Sequence, residues 1–426
     1  MTLSRRHFLS LAAALPGVLA FSGRISPSDD AFLEDLSRRS FLFFWEHTDP
    51  ITGLVLDRVR NDGTTVPGRN LEVASTALTG FGLTAMCIAA DRRWMDPDQI
   101  RERVRASLRY FVHDQEHVRG WYYHFVNRKN GERVWNSELS TIDTAIFLAG
   151  VLTAQQYYRD DVEILDLTST LYKRVDFAWL LNKQTGRLHM GWDPETGLFH
   201  AEWKAYDEEA LLYLLGIGSP SYPIPVKSWY SFERQAVEVC GYRYIGRGPL
   251  FTQQYSQAWL ALDGLRDGQP LVMDYFQNSV IATYAHRALC LSLRGMYPHY
   301  SELLWGVSAS DSEIGYINWG DPSPRRNYMD GTVVPCAAGG SLMFAPEICL
   351  PALHYMKEQF GSYIYGRYGF ADAFNPGRLW VNADVIGIDV GITLLSAENL
   401  RSGRVWRWFG QSPDVQRAMK QVFQRY

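Results

Sequence analysis

The feature that most limits how this chain can fold is a succession of apolar stripes at helical spacing, separated by alternately short and long connections. In DAFLEDLSRRSFLFFWE, residues 30 to 46, Phe32, Leu36, Phe41 and Phe44 recur along one face. The same spacing predicts helices at about 71 to 90, 97 to 115, 140 to 158, 161 to 181, 207 to 216, 252 to 263, 272 to 293, 339 to 359 and 390 to 400. The longer intervals, 116 to 137, 183 to 203, 217 to 250, 309 to 338 and 361 to 388, are rich in glycine, proline and aromatic residues. No fixed-period repeat, Pro/Ser-rich linker or charge run divides the chain, so one all-α domain is expected. Paired helices with long loops on one side suit an α/α toroid, in which inner helices surround a cavity and rim loops carry the functional residues.

The N-terminal stretch MTLSRRHFLSLAAALPGVLA has a basic head, an apolar run from Phe8 to Leu19 and small residues near Ala20, the order of an export signal. Arg5 and Arg6 followed by Phe8 and Leu9 read as the twin-arginine type, which passes an already folded protein to its export machinery. Residues 1 to 25 are therefore expected to be a signal peptide, residues 26 to 426 the domain, and the location periplasmic or secreted. No other stretch approaches the roughly 18 uncharged apolar residues that a membrane span requires. A formal charge of -4 and a pI near 6.2 argue against a nucleic-acid partner, which calls for a concentrated basic face. Five cysteines without CxxC spacing signal neither a disulfide framework nor a zinc site, although Cys240 with Cys290, or Cys336 with Cys349, could pair after export.

Aromatic residues make up 14% of the chain, with 14 Trp and 24 Tyr. Beyond packing a core, these rings present flat apolar faces with a polar edge, which suits stacking on sugars. In WKAYDEEALLYLLGIGSP, three acids precede a wholly apolar helix. Asp207 could cap it with Glu208 and Glu209 in the first turn, or one of the three could be a catalytic acid at a cavity mouth. Asp389, between Gly387 and Gly391, reads equally as an N-cap for a helix near Val390 or as a ligand-facing carboxylate. Ser140 and Asp143 are close to a capping box, and Glu138 can share a site with Asp143 only from the preceding loop. His286, mid-helix, reads as a core histidine. GxSxG, HExxH, GxGxxG after a strand and GxxxxGK[ST] are all missing, so serine-hydrolase, zincin, dinucleotide and P-loop chemistries lack their minimal signals.

Several segments together resemble the glucoamylase-like glycoside hydrolase family that includes bacterial endo-β-1,2-glucanases: ASTALTGFGLTA (74 to 85), ELSTIDTAIFLAG (138 to 150), YDEEALLYLLGIGSP (206 to 220), GPLFTQQYSQAWLALDG (248 to 264), DGTVVPCAAGGSLMFAPE (330 to 347), YGFADAFN (368 to 375) and GIDVGI (387 to 392). The resemblance implies an (α/α)6 barrel acting on β-1,2-linked glucan by inversion, with no metal or other cofactor. Inversion needs a protonated carboxyl for the departing oxygen and a carboxylate for water, roughly 6.5 to 9.5 Å apart. Glu208 matches the Glu of the family's Tyr-Asn-Glu segment and is the expected general acid. Asp207 replaces the Asn, and its charge would raise the pKa of Glu208. Asp389 is the expected general base. Asp207, Glu138 and Asp143 are expected to bind sugar hydroxyls. Trp121, His124, Trp192, Trp203, Gln254, Trp319, Phe374 and Trp380 are expected to line the cleft, with Arg69, Arg287 and Asp330 as further hydrogen-bonding groups. The alternatives are a non-catalytic carbohydrate-binding protein on the same toroid and a β-1,2-glucan transglycosylase.

Overall fold

The computed structural model describes residues 25 to 246, 248 to 268, 273 to 320 and 329 to 425. All of the expected signal peptide except Ile25 lies outside the described residues. Thirteen helices are described: α1 (Pro27–His47), α2 (Thr76–Arg92), α3 (Pro97–His113), α4 (Thr141–Tyr157), α5 (Val162–Arg174), α6 (Ala210–Gly218), α7 (Phe251–Trp259), α8 (Tyr275–Ser292), α9 (Pro335–Gly339), α10 (Pro346–Ile364), α11 (Gly387–Ser402), α12 (Arg404–Gly410) and α13 (Pro413–Val422). Their amino-acid patterns sort them into two layers. On α3 only Ile100, Val104, Ser107, Leu108 and Phe111 are buried, a single stripe that covers a neighbour. On α2 every residue from Thr76 to Ala90 is buried, and α6 is buried from end to end. A helix apolar all round belongs inside.

The inner helices form a ring. α11 packs on α2, α2 on α4, α4 on α6 and α6 on α7. α9 packs on α11 and is tied to α7 by Gln254, whose Nε2 donates to the Ala337 carbonyl at 3.0 Å and to Ser341 Oγ at 2.8 Å. Outside them, α1 covers α11 and α2, α3 covers α2, α5 covers α4, α13 covers α6, α8 covers α7 and α10 covers α9. Six inner and six outer helices among the described residues make the (α/α)6 toroid that the resemblance implies. Three of the inner helices are entered from short antiparallel pairings: Val73–Ser75 with Phe125–Asn127 before α2, Leu139–Ser140 with Gly191–Trp192 before α4, and Asp384–Ile386 with Arg58–Arg60 before α11. These ribbons hold the long loops against the rim where the inner helices start.

The tightest contact in the ring is α2 against α4. A Cβ built on Gly150 would lie 2.1 Å from the Gly80 carbonyl oxygen, and one on Gly80 would lie 2.3 Å from that of Ile146. The backbones therefore touch, and only glycine permits it.

Two parts of the helical pattern differ from expectation. The helix expected at 339 to 359 starts only at Pro346, as α10, and the short α9 (Pro335–Gly339) lies almost wholly in the interval 309 to 338 expected to be a loop. Gly339 and Gly340 press on Thr393 and Gln254 in the turn between them, and Pro346 starts α10 at a position where its missing N–H costs nothing. α12 and α13 were not expected at all. All five cysteines are free, so neither expected pairing forms. No helix among the described residues is long and apolar enough to cross a membrane.

Replacing Gly150 by alanine forces a methyl group into the Gly80 carbonyl. The substitution is expected to destabilise the fold by about 1 to 3 kcal/mol, read as a lower denaturation midpoint in urea. An unchanged midpoint would mean that the two helices do not cross so closely.

Candidate active site

Glu208 stands immediately before α6, and the way that helix begins explains why its carboxyl is not spent on capping. Asp207 is not the N-cap expected from sequence. Its Oδ1 accepts the N–H of Glu208 at 3.0 Å, and its own N–H donates to Glu209 Oε2 at 2.8 Å. Glu209 takes the N-cap position without a side-chain capping bond. Ser256 of α7 supplies the cap from outside, accepting the Leu211 N–H at 2.9 Å while donating to the Glu208 carbonyl. Burial, then the charges of Asp207, Asp143 and Glu209, push the Glu208 carboxyl well above the usual range. These causes favour its protonated form. Glu209 below it is fully buried and raised to about 8 by burial and Asp207.

Asp389 lies in the first turn of α11, one turn inside the Ile386 cap, so it does not cap the helix. Its Oδ1 accepts the thiol of Cys336 at 3.1 Å. Burial raises it to about 6, while hydrogen bonds from Asp372 and Cys336 hold it back. Asp372 is in turn gripped by the Asp311 N–H and by Asn382 Nδ2, each 2.9 Å from Oδ2. Arg58 completes the chain, reaching Asp311 at 2.6 Å and Asp57 at 3.0 Å. Tyr255 of α7 feels the charge of both acids. Burial raises its phenol far above normal, and both Asp389 and Glu208 add to that rise.

A third group faces the same space. His124 Nδ1 is 3.0 Å from Glu138 Oε1, and its Nε2 is 3.6 Å from Asp143 Oδ1. Burial alone would lower this imidazole, but Asp143, Glu138 and Asp57 together raise it to about 9. Ser140 caps α4 by receiving the Asp143 N–H at 3.3 Å, but its own N–H goes to the Tyr122 carbonyl at 3.0 Å, so only half of a capping box forms; the Asp143 carboxyl accepts from the Ser140 hydroxyl instead and faces His124. Glu138 does sit in the preceding segment, as sharing a site with Asp143 requires. One atom from each of His124, Glu138 and Asp143 falls within 4.8 Å of the others, a spacing that a divalent ion could also use. An imidazolium between two carboxylates satisfies all three groups, so a cation would have to displace that proton.

The remaining residues expected at the site divide. Trp203 is buried beside it, its indole N–H donating to Thr141 at the start of α4. Gln254 is a fully buried tie between inner helices. Trp192 is half-buried against Trp179, and Trp380 half-buried in the ribbon with Asn375. Trp121, Trp319 and Phe374 are buried, against an expected place on the cleft wall. Trp121 packs on Phe177 and donates to the Asp176 carbonyl, Trp319 donates to Ser310, and Phe374 packs on Phe360. A loop position did not keep them out of the core, because these loops fold back onto the rim. Arg287 lies on the outer helix α8 over Tyr284, and Asp330 closes a turn on Thr332. Neither is shown beside the acids. Arg69 is exposed and lies over Trp135, itself 44% exposed. His286 is the core histidine expected, accepting the Val307 N–H at 3.0 Å. Sequence reasoning missed Asp57, Arg58, Tyr255, Asp311, Asp372, Asn382 and the exposed Trp135. Of these, Tyr255 and Asp372 lie inside segments that carry the resemblance.

This toroid, with two raised carboxyls beside one phenol, has the architecture of a glucoamylase-like catalytic domain. The family model described as "Putative glucoamylase" matches residues 200–413, and the chain belongs to that family. An exo β-1,2-glucooligosaccharide sophorohydrolase (non-reducing end) from Parabacteroides distasonis is 26% identical over 433 residues, covering 93% of this chain. The chain spans only 58% of the length of that relative. Among solved structures, a "putative glucoamylase" from Bacteroides caccae superposes with a TM-score of 0.86 at 26% identity, covering 93% of this chain and all of that one. An endo-β-1,2-glucanase from Chitinophaga pinensis, in complex with sophorotriose and glucose, gives 0.85 at 25% identity, covering 94% and 99%.

Two measurements follow from the geometry. Glu209 and His124 hold protons in the folded chain that the unfolded chain gives up near 4.5 and 6.5. The stability that this contributes is present below those values and is lost as pH rises through about 8 and about 9. The melting temperature is therefore expected to fall from pH 6 to pH 9, and to fall less steeply in Glu209→Gln; a flat or rising curve would contradict the burial of these groups. Removing the external cap with Ser256→Ala is expected to cost about 1 kcal/mol of stability and to lower kcat as Glu208 loses its support.

Proposed function

We propose that this chain is an exported glycoside hydrolase that cleaves β-1,2-glucan with inversion, Glu208 acting as general acid and Asp389 as general base. The observation that carries the reading is a pair of raised carboxyls, half-buried Glu208 and buried Asp389, whose charges both act on the phenol of Tyr255. Glu208 keeps its proton at neutral pH and can give it to the departing glycosidic oxygen, while Asp389, near 6, is ionised and can take one from water. A protein that only binds sugar has no use for two such acids at the same rim of the toroid. His124, Glu138 and Asp143 offer donors and acceptors to ring hydroxyls, and the exposed face of Trp135 offers a surface for stacking at the rim. The β-1,2-glucan named for the relatives supplies the linkage. The Arg5–Arg6 signal supports passage across the inner membrane in folded form, and periplasmic or secreted action on a polymer.

Purified protein lacking residues 1 to 25 should release products from linear β-1,2-glucan and leave β-1,3-, β-1,4- and α-1,4-glucans intact. A ladder of short products identifies endo attack and a single disaccharide exo attack. No product from any glucan would remove the hydrolase reading. Glu208→Gln and Asp389→Asn are each expected to lower kcat by about 100- to 10,000-fold, with glucan binding retained by calorimetry. In the wild type, kcat/KM should rise as pH passes about 6, where Asp389 loses its proton, and fall at alkaline pH as Glu208 ionises. A limb on the acid side that stays in place in Asp389→Asn would identify a different base.

A further inference from the structure

Asp372 is assigned no role above, yet it is fully enclosed and lies beside the base. Its Oδ2 is taken by two donors, the Asp311 N–H and Asn382 Nδ2. On the partner, Asp389 Oδ1 is taken by the Cys336 thiol. The oxygens left over, Asp372 Oδ1 and Asp389 Oδ2, are both buried and no donor N–H or O–H of another group reaches either. The two carboxyls line one small cavity with Cys336 and act directly on each other, and each has a buried oxygen that lacks a donor, so a hydrogen bond between them is the contact that would satisfy both. Two carboxylate oxygens can make one only through a proton, because an ionised carboxyl has acceptors and no donor. The pair therefore carries one proton between its members.

We propose that Asp372 holds that proton, as a neutral carboxylic acid whose O–H donates to Asp389 Oδ2, and that it is a positioning residue that keeps Asp389 ionised and aimed. This rests on the reading of Asp389 as the general base. The surroundings favour this division. Asp372 is raised well above normal by burial and by the Asp389 charge, whereas Asp389 is lowered by the bonds it receives from Asp372 and Cys336 and by Arg58. The other ionisable groups that act on the pair are Asp311, which bonds Arg58, and Tyr255 and Tyr316. Each oxygen of Asp389 keeps a second lone pair, so the two donors fix the carboxylate without blocking its approach to water. The arrangement is the carboxyl counterpart of a histidine held by an acid. The difference is that the supporting group here gives a hydrogen bond to the base instead of accepting one.

Asparagine is the natural probe, since its amide has the shape and the donor of a neutral carboxyl but no proton to lose. Asp372→Asn is expected to reduce kcat/KM by less than about tenfold and to leave the acid limb of its pH profile in place. Asp372→Ala removes the donor, and its acid limb should move upward by on the order of one pH unit. If Asp372→Asn instead falls as far as Asp389→Asn, Asp372 is the ionised member and the assignment is reversed. A second readout needs no substrate and survives failure of the hydrolase reading. With carboxyl-labelled aspartate in the full mature chain, carbon NMR at pH 7 should show a neutral aspartic acid signal that disappears in Asp372→Asn. Its persistence in that variant, or its absence from the wild type, would overturn the proposal even with glucan cleavage intact. Glucan left uncleaved while the signal behaves as expected would instead remove the base role of Asp389 and leave the shared proton standing.

Discussion

Carboxyls crowd the rim where the inner helices begin, and they cannot all be ionised at once. Asp143, Glu208 and Asp389 stand at or just before the starts of α4, α6 and α11, with Asp207, Glu209, Asp372, Asp311 and Asp57 close behind. Helix N-termini favour negative charge there, which draws acids to the rim. Burial and mutual repulsion oppose that preference and win at Glu208, Glu209 and Asp372. Arg58 and the His124 imidazolium supply the compensating positive charge, each between two carboxylates. The outcome is a division of protons: some acids hold theirs and others give them up, and that division is what acid–base chemistry on a sugar requires.

Packing makes the division possible. The backbone contact at Gly80 and Gly150 brings α2 and α4 close enough for the His124 side of the rim to face Glu208. Ser256 caps α6 from a neighbouring helix and so leaves the acid before it unspent. Cys336 on α9 and Asp372 on the loop before α11 each hold one oxygen of Asp389. Asp389 and His124 are thus held by elements other than their own, and the ring must close before the site exists.

Most of the fold was legible in the sequence. Wholly apolar helices alternating with striped ones define inner and outer layers, and the long loops fell where the rim lies. α13 was missed although Ser412, Pro413 and its strong polar and apolar faces mark a start and a stripe. α9 was missed because only five residues form it, and α10 was started too early because apolar residues continue from Gly339 to Pro346, where tertiary contact forces a turn. The tryptophans of the long loops were misplaced for a related reason. Residence in a loop says nothing of burial when the loop itself is folded onto the core, as Trp121 and Trp319 show. Asp372 and Asp57 match no catalytic or capping spacing, since their importance comes from partners supplied by other loops and helices, Asp311, Asn382 and Asp389 for the one and Asp311, through Arg58, for the other.

If Glu208 protonates the leaving oxygen while Asp389 drives water onto the opposite face of the ring, the sugar freed at the cleaved bond must emerge with its configuration reversed. Proton NMR in the first minutes of reaction with linear β-1,2-glucan, before mutarotation, measures this directly. The account predicts that the new reducing end appears as the α anomer and drifts toward equilibrium. A β anomer formed first would mean a covalent intermediate and a nucleophile in place of a base, and would contradict it.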